Sequence, residues 1–357
     1  MSFIRVLVVD DSAFIRKVVT DILQSDNEIK VVEKARNGKE AIEKLLRNEI
    51  DVVTLDVEMP VMNGIETLSE IMKIKPTPVV MLSSLTKQGA DLTITALETG
   101  AVDFITKPEN IFKEGQEELR SSVIQKIKTA AVIDVKTKKS VFEKIRASTA
   151  KGLTPRQLIS RAGRVENIVA IGTSTGGPKA LQHVIPNLDE DINSAVVVVQ
   201  HMPPGFTKSL ADRLDGVSKI RVKEAENGEV LKNGVAYIAP GDRHLNFINE
   251  GSDIRVVLDN GANVSGHKPS VDSMFYSLSE VRCKSIIPVI MTGMGQDGAK
   301  GMQKLKLKGG SSVISIAEDQ DTCVVFGMPK AAINLGVVDK VLPVNKIAVE
   351  INKLLGV

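Results

Sequence analysis

Tryptophan is absent from the 357 residues, and only two tyrosines and nine phenylalanines accompany its absence. A single-strand binder stacks bases on aromatic faces, so this composition fits that class poorly. A net charge of +2 offers the chain as a whole no strong attraction to a polyanion. The two cysteines, Cys283 and Cys323, stand in separate segments without metal-ligand spacing. They argue against a disulfide framework and for a reducing cytosol. No apolar run is long enough to span a bilayer, and Met1 to Arg5 lead into strand-like Val6 to Val9 without a signal-peptide pattern. The expectation is a cytoplasmic protein with no membrane insertion and no nucleic-acid partner.

What the chain does have is length and alternation. At 357 residues it exceeds what one core usually organises, so two domains are expected. In residues 1–125, short β-branched runs (Val6 to Val9, Val31-Val32, Val52 to Leu55, Val79 to Leu82, Phe104-Ile105) alternate with helical patterns. That alternation predicts a doubly wound parallel α/β sheet whose ligand site lies beyond the carboxyl ends of its strands. Residues 126–166 read as a helix tail plus a basic linker: between Lys126 and Arg164 eleven Lys or Arg face two acids, Asp134 and Glu143. A solvated tether or a docking surface for an acidic partner would both have this composition. A second α/β unit occupies 167–357, with strands expected at Ile168 to Ile171, Val196 to Val199, Tyr237-Ile238, Ile254 to Leu258, Pro288 to Met291 and Val313 to Ile316. Asn233-Gly234 and Asn249-Glu250-Gly251 are expected to close antiparallel hairpins there.

Carboxylates mark the strand ends of the first unit. Asp10 and Asp11 follow the first strand and Asp56 ends the third, so the fold should bring them together. Like charges so placed call for a cation, and an all-oxygen donor set suits Mg²⁺. Ser83 ends the fourth strand and Lys107 the fifth, a hydroxyl and a point charge suited to the oxygens of a phosphoryl group carried by Asp56. With these five positions the segment resembles the receiver domain of two-component response regulators, a flavodoxin-like fold. The resemblance implies phosphorylation at Asp56 by a histidine kinase and makes Phe104 a switch aromatic beside Ser83 and Lys107. It also implies that the backbone carbonyl of Glu58 joins Asp10, Asp11 and Asp56 at the metal.

In the second unit, Gly172-Thr173-Ser174-Thr175-Gly176-Gly177 separates a strand from a helix opening at Pro178. The pattern G-x-S-x-G is that of a nucleophile exposed on a tight strand-to-helix turn, although a phosphate cradle shares its glycines. Of four histidines, His201 alone follows an apolar strand directly, which makes it the candidate base. His183 lies on the helix after the turn, and His244 and His267 lie in loops. Asp297, beyond the strand Pro288 to Met291, is the candidate partner of the imidazole, ahead of Asp242 and Asp272. Backbone N–H groups of Met294 and Thr175 are candidate oxyanion donors.

The segment around Asp297 also supports a competing reading. Gly293, Gly295 and Gly298 spell G-x-G-x-x-G, with Glu318 about 20 residues on, as in a dinucleotide site. A carboxylate at Asp297 would repel the pyrophosphate there, and Ser174 and His201 would have no role. With Gln200-His201-Met202-Pro203-Pro204, Ala239-Pro240-Gly241, Pro269-Ser270-Val271-Asp272 and Met291 to Gly298, the unit resembles the catalytic domain of chemotaxis-specific protein-glutamate methylesterases. That resemblance implies a serine esterase acting on methyl-accepting chemotaxis receptors and deamidating receptor glutamines. The chemotaxis histidine kinase is the implied phosphodonor, and no cofactor is expected in the esterase unit.

Overall fold

The structure, a computed structural model, describes residues 3–107, 116–135 and 163–357. The chain divides into two compact units between residues 143 and 144.

The first unit is built from β1 (Ile4–Val9), α1 (Ala13–Leu23), β2 (Ile29–Ala35), α2 (Gly38–Arg47), β3 (Val52–Asp56), α3 (Gly64–Ile74), β4 (Val79–Ser83), α4 (Lys87–Thr99), β5 (Asp103–Thr106) and α5 (Gln116–Ala131). Its strands run in parallel in the order β2-β1-β3-β4-β5. Val6 to Val9, Val52, Val53, Leu55 and Val79 to Leu82 are buried, as strands covered on both faces require. The order reverses between β1 and β3, and there a doubly wound sheet opens its ligand crevice.

Helix α5 runs to Ala131, so the first unit continues past the expected boundary at residue 125. Val123, Ile127 and Ala130 are buried, which makes this stretch an amphipathic helix. Its basic residues are paired: Lys126 Nζ lies 2.9 Å from Asp103 Oδ1, and Lys128 Nζ lies 2.7 Å from Asp26 and from Glu28. The rest of the expected linker, residues 136–162, lies outside the described residues.

The second unit carries a seven-stranded parallel sheet in the order β14-β13-β12-β6-β7-β9-β8. Its strands are β6 (Asn167–Thr173), β7 (Ser194–Gln200), β8 (Arg221–Glu224), β9 (Val235–Ile238), β12 (Ser285–Ile290), β13 (Ile316–Glu318) and β14 (Lys340–Leu342). The helices are α6 (Gly177–Val184), α7 (Phe206–Asp215), α8 (Val271–Leu278), α9 (Ala299–Gly309), α10 (Met328–Asn334) and α11 (Val344–Leu355). β10 (His244–Glu250) and β11 (Asp253–Asp259) form the expected antiparallel hairpin beside this sheet.

The other expected hairpin does not form, because β8 and β9 pair in parallel. Between them the chain detours along the hairpin: Gly228 N and Leu231 N donate to Val256 O and Ile254 O at 2.9 Å each. Asn233-Gly234 therefore turns the chain into β9 from that detour, not from β8. The strand expected at Val313 to Ile316 begins only at Ile316, with Val313 in a single bridge to Ile286. Among the described residues no helix is long and apolar enough to cross a membrane.

Candidate active site

In the first unit the crevice at β1 and β3 holds the expected acids. Ligand oxygens of Asp10, Asp11 and Asp56 lie within 4.8 Å of one another. Asp10 and Asp56 are buried and Asp11 is exposed. Lys107 Nζ stands 2.9 Å from Asp10 Oδ2 and 2.7 Å from Asp56 Oδ2. Neither oxygen has a hydrogen bond of good geometry, so Lys107 neutralises them as a point charge. Buried carboxylate oxygens without hydrogen bonds, next to an exposed third carboxylate, fit a hard divalent cation. Glu58 is exposed, and its N–H donates to Asp56 Oδ1 at 3.3 Å.

Ser83 ends β4 and Phe104 lies in β5. Ser83 Oγ accepts from Thr93 Oγ1 at 2.7 Å and lies 3.2 Å from Gly89 O, so its hydroxyl is engaged by α4. To reach a phosphoryl group on Asp56 it must exchange these bonds. Phe104 is buried, with Lys126 Nζ 5.2 Å from its ring centre.

Burial, with help from the charge of Asp10 and against that of Lys107, raises the Asp56 pKa to about 6. The protonated form therefore contributes stability that is complete below the ordinary value of 3.8 and lost as pH rises through about 6. Above that pH a cation relieves the repulsion, whereas below it Mg²⁺ must displace a proton. Saturating Mg²⁺ is expected to raise the unfolding temperature of this unit by about 4 °C at pH 7.5, with little change at pH 5. Calorimetry is the suitable measurement, since both tyrosines, Tyr237 and Tyr276, lie in the second unit.

In the second unit the sheet register brings the candidate residues to one edge. Thr173 stands opposite Gln200 and Gly172 opposite Ile290, so the chain leaves β6, β7 and β12 side by side. Ser174 follows β6, His201 follows β7, and Thr292 to Asp297 follow β12. The strand order reverses around β6, the crevice position of a doubly wound sheet.

The turn after Ser174 is shaped by its neighbours. Ser174 N donates to Thr292 O at 3.0 Å, and Ser174 O accepts from Gly177 N at 2.8 Å and Gln200 Nε2 at 3.0 Å. Gly176 takes φ +79° as the N-cap of α6, a left-handed conformation that glycine adopts without cost. Gly293 abuts the serine: a Cβ on it would lie 2.8 Å from Ser174 Cβ. Thr173 Oγ1 donates to Gln200 Oε1 at 2.6 Å, so a buried amide ties the two strand ends together.

His201 and Asp297 meet as expected, with Nε2 2.9 Å from Oδ2. The imidazole N–H is thus on Nε2, and Nδ1, buried and without a hydrogen-bond partner among the described residues, keeps its lone pair. Asp297 lies at the N-terminus of α8. Its oxygens also accept from Val271 N at 2.7 Å, Asp272 N at 2.9 Å and Ser270 Oγ at 2.9 Å. Burial pushes the Asp297 pKa up. The bond and charge of His201, with the N–H groups of Asp272 and Val271, outweigh it and hold the group below the usual carboxylate range. Asp272 goes the other way: burial raises its pKa, and the negative charge of Asp297 adds to the rise.

The remaining candidates separate clearly. Asp242 is exposed, and Asp272 is buried but bonds Gly301 N and Ser265 Oγ at 2.6 and 2.7 Å. His244 Nε2 bonds Ala262 O at 2.9 Å, while His183 is half-buried in the last turn of α6. Met294, half-buried, follows Gly293 beside the serine, and Thr175 is the residue after it. Glu318 is buried, accepting from Thr292 N at 2.8 Å and Thr322 Oγ1 at 3.0 Å. The acid that a dinucleotide site would use is thereby committed to holding the Thr292 turn.

Three contributors carry no role predicted from the sequence: Gln200, Ser270 and His267. The His267 ring stacks on that of His201, with centroids 3.9 Å apart and planes inclined by 13°. Gln200 and Ser270 lie in stretches that carry the resemblance, as a lone amide ending an apolar strand and a serine just before a helix.

Residues 169–351 match the family described as CheB methylesterase, and residues 6–119 match the response regulator receiver domain. A Geobacillus kaustophilus relative, named protein-glutamate methylesterase/protein-glutamine glutaminase, is 48% identical over 100% of both chains. One from Bacillus subtilis with the same name is 46% identical over 98% of this chain and 97% of its own. Among solved structures, the Thermotoga maritima CheB methylesterase catalytic domain is 50% identical and aligns with TM-score 0.51. It covers 52% of this chain and 97% of that one.

Proposed function

The chain belongs to the protein-glutamate methylesterase/protein-glutamine glutaminase family, and from that premise we propose a phosphorylation-activated serine esterase with Ser174 as nucleophile. The observation that carries the reading is the His201–Asp297 bond at 2.9 Å, which leaves Nδ1 as the basic nitrogen of a histidine whose strand ends beside that of Ser174. His201 Nδ1 takes the Ser174 proton as Oγ attacks the γ-carbonyl of a methylated glutamate on a chemoreceptor. Asp297 stabilises the resulting imidazolium. The carbonyl oxygen turns towards the backbone N–H groups of Met294 and Thr175. His201 then gives its proton to the departing methoxide. Methanol leaves, and water attacks the acyl-enzyme with His201 again as base, restoring Ser174 and a glutamate. A receptor glutamine follows the same course and releases ammonia.

The receiver expected at 1–125 is read as extending through α5 to Ala131, and the rest of 126–166 as its connection to the esterase unit 167–357, in a cytoplasmic protein. Asp10, Asp11, Asp56 and the carbonyl of Glu58 would hold Mg²⁺, which supplies positive charge for phosphoryl transfer. A histidine kinase of the chemotaxis system donates the phosphoryl group to Asp56. Lys107 then pairs with it, Ser83 turns from Thr93 towards it, and Phe104 repacks. In this reading the unphosphorylated receiver restrains access to Ser174.

Methanol release from methylated receptor membranes tests the regulation. Acetyl phosphate with Mg²⁺ is expected to raise the rate of the full chain on the order of tenfold, and Asp56→Asn removes the response. Residues 163–357 alone should be faster than the unphosphorylated full chain and indifferent to acetyl phosphate. A truncated protein no faster than the resting full chain would rule out restraint by the receiver.

A further inference from the structure

The stacking of His267 on His201 is built by the surrounding chain. His267 closes a tight turn in which Val264 N donates to His267 O at 3.1 Å and His267 N to Val264 O at 3.0 Å. The central residues, Ser265 and Gly266, have φ of +53° and +81°, the sign pattern of a type I′ turn. A positive φ is uncommon for a residue other than glycine, and Ser265 is anchored there by its side chain. Its Oγ donates to Asp272 Oδ2 at 2.7 Å. Asp272 is buried in the first turn of α8, and its other oxygen accepts from Gly301 N at 2.6 Å. The N–H of Asp272 donates in turn to Asp297 Oδ1 at 2.9 Å.

One helix start therefore serves two faces of the base. Through Val271 N, Asp272 N and Ser270 Oγ it fixes the carboxylate that bonds the edge of His201. Through the Asp272 side chain and Ser265 it fixes the turn that lays His267 flat on the ring. The two restraints differ in kind. A hydrogen bond at Nε2 fixes one direction in the imidazole and leaves the ring plane free to tilt about it. A parallel ring at van der Waals distance fixes that plane. It also makes no bond to Nδ1, so nothing there has to break when the base gains or loses a proton.

We propose that His267 is a positioning residue for the esterase reaction: it holds the plane of His201 so that Nδ1 can take the Ser174 proton while Nε2 stays on Asp297. The inference rests on the reading of His201 as the base. What His267 supplies is a flat face and not a proton, so another aromatic ring can replace it but an aliphatic side chain of similar size cannot.

The test is methanol release from methylated receptor membranes by the full chain, with kcat and KM determined separately for His267→Ala, His267→Leu and His267→Phe. His201→Ala serves as the control. His267→Ala and His267→Leu are expected to lower kcat about tenfold, the rate equivalent of an aromatic pair at the upper end of its usual worth, with little change in KM. His267→Phe is expected to recover kcat to within about twofold on the same grounds. Unfolding temperatures identify any variant that fails to fold, and Leu and Phe then decide between themselves. Wild-type kcat in the Ala or Leu variants overturns the proposal. So does a Phe variant as slow as Leu, or a loss confined to KM. A His201→Ala protein that keeps its activity instead removes the base assignment, a different failure from that of His267.

Discussion

Ser174→Ala is expected to lower methanol release on the order of a millionfold, the scale seen when a serine hydrolase loses its nucleophile. The substitution removes one oxygen and leaves the turn intact. Ser174 N still donates to Thr292 O, and its carbonyl still accepts from Gly177 N and Gln200 Nε2. A methyl group fits where the serine Cβ already packs against Gly293. Stability should therefore stay within about 0.5 kcal/mol of wild type, as for a substitution that disturbs no packing. The loss would be chemical, with receptor binding unaffected. Release rates and thermal unfolding measured on the same preparation check both halves. A variant that unfolds early would assign the loss to structure, and one retaining more than a trace of activity would place the nucleophile elsewhere.

Asp297→Asn is expected to cost about 10⁴-fold in kcat, by the logic of a triad whose imidazole is held in the wrong tautomer. Here the hydrogen bonds make the outcome almost independent of how the amide sits. Oδ2 accepts from His201 Nε2 and Val271 N, and Oδ1 accepts from Ser270 Oγ and Asp272 N. An NH₂ group at the Oδ2 position makes Nε2 an acceptor, moves the ring proton to Nδ1 and removes the base. It also points a donor at the N–H of Val271. At the Oδ1 position the NH₂ faces the N–H of Asp272, and the negative charge that stabilises the imidazolium is lost all the same. Either way a buried donor is left unsatisfied, so about 1 to 3 kcal/mol of stability should go with the activity. Methanol release and denaturant unfolding report the two losses, and a variant with near-normal kcat would exclude Asp297 as the partner of His201.

The positions of these residues were legible because each follows an apolar strand. Asp10, Asp56 and Lys107 could be placed in one crevice from chain position alone, as could Ser174, His201 and Asp297, since a parallel sheet gathers its strand ends at one edge. Their side-chain partners were not legible. Nothing local in Gly266-His267-Lys268 says that the ring lies on another ring 66 residues earlier, because an I′ turn and the Ser265–Asp272 bond decide it. Asp297 ranked ahead of Asp272 by its place after a strand, but nothing in the sequence said that the N-terminus of α8 would take it as its anion. Ser83 was rightly placed at the end of β4, but its hydroxyl direction depends on Thr93, across a helix. The Asn233-Gly234 signal described a real turn and gave the wrong pairing for β9, since turn chemistry is local and strand pairing is not. Around Asp297 the glycine pattern imitated a nucleotide loop because both uses need close backbone approach. The burial of Glu318 against Thr292 separates them.

Activation of Ser174 by His201 can be read out with an organofluorophosphonate, which adds to a serine whose oxygen is made nucleophilic by a neighbouring base. The full chain is treated with the reagent, digested, and the modified peptide mapped by mass spectrometry. One adduct is expected, on Ser174, formed by the wild-type protein and not by a folded His201→Ala variant. A protein that releases methanol yet carries its adduct on another residue, or labels Ser174 equally well without His201, would contradict it.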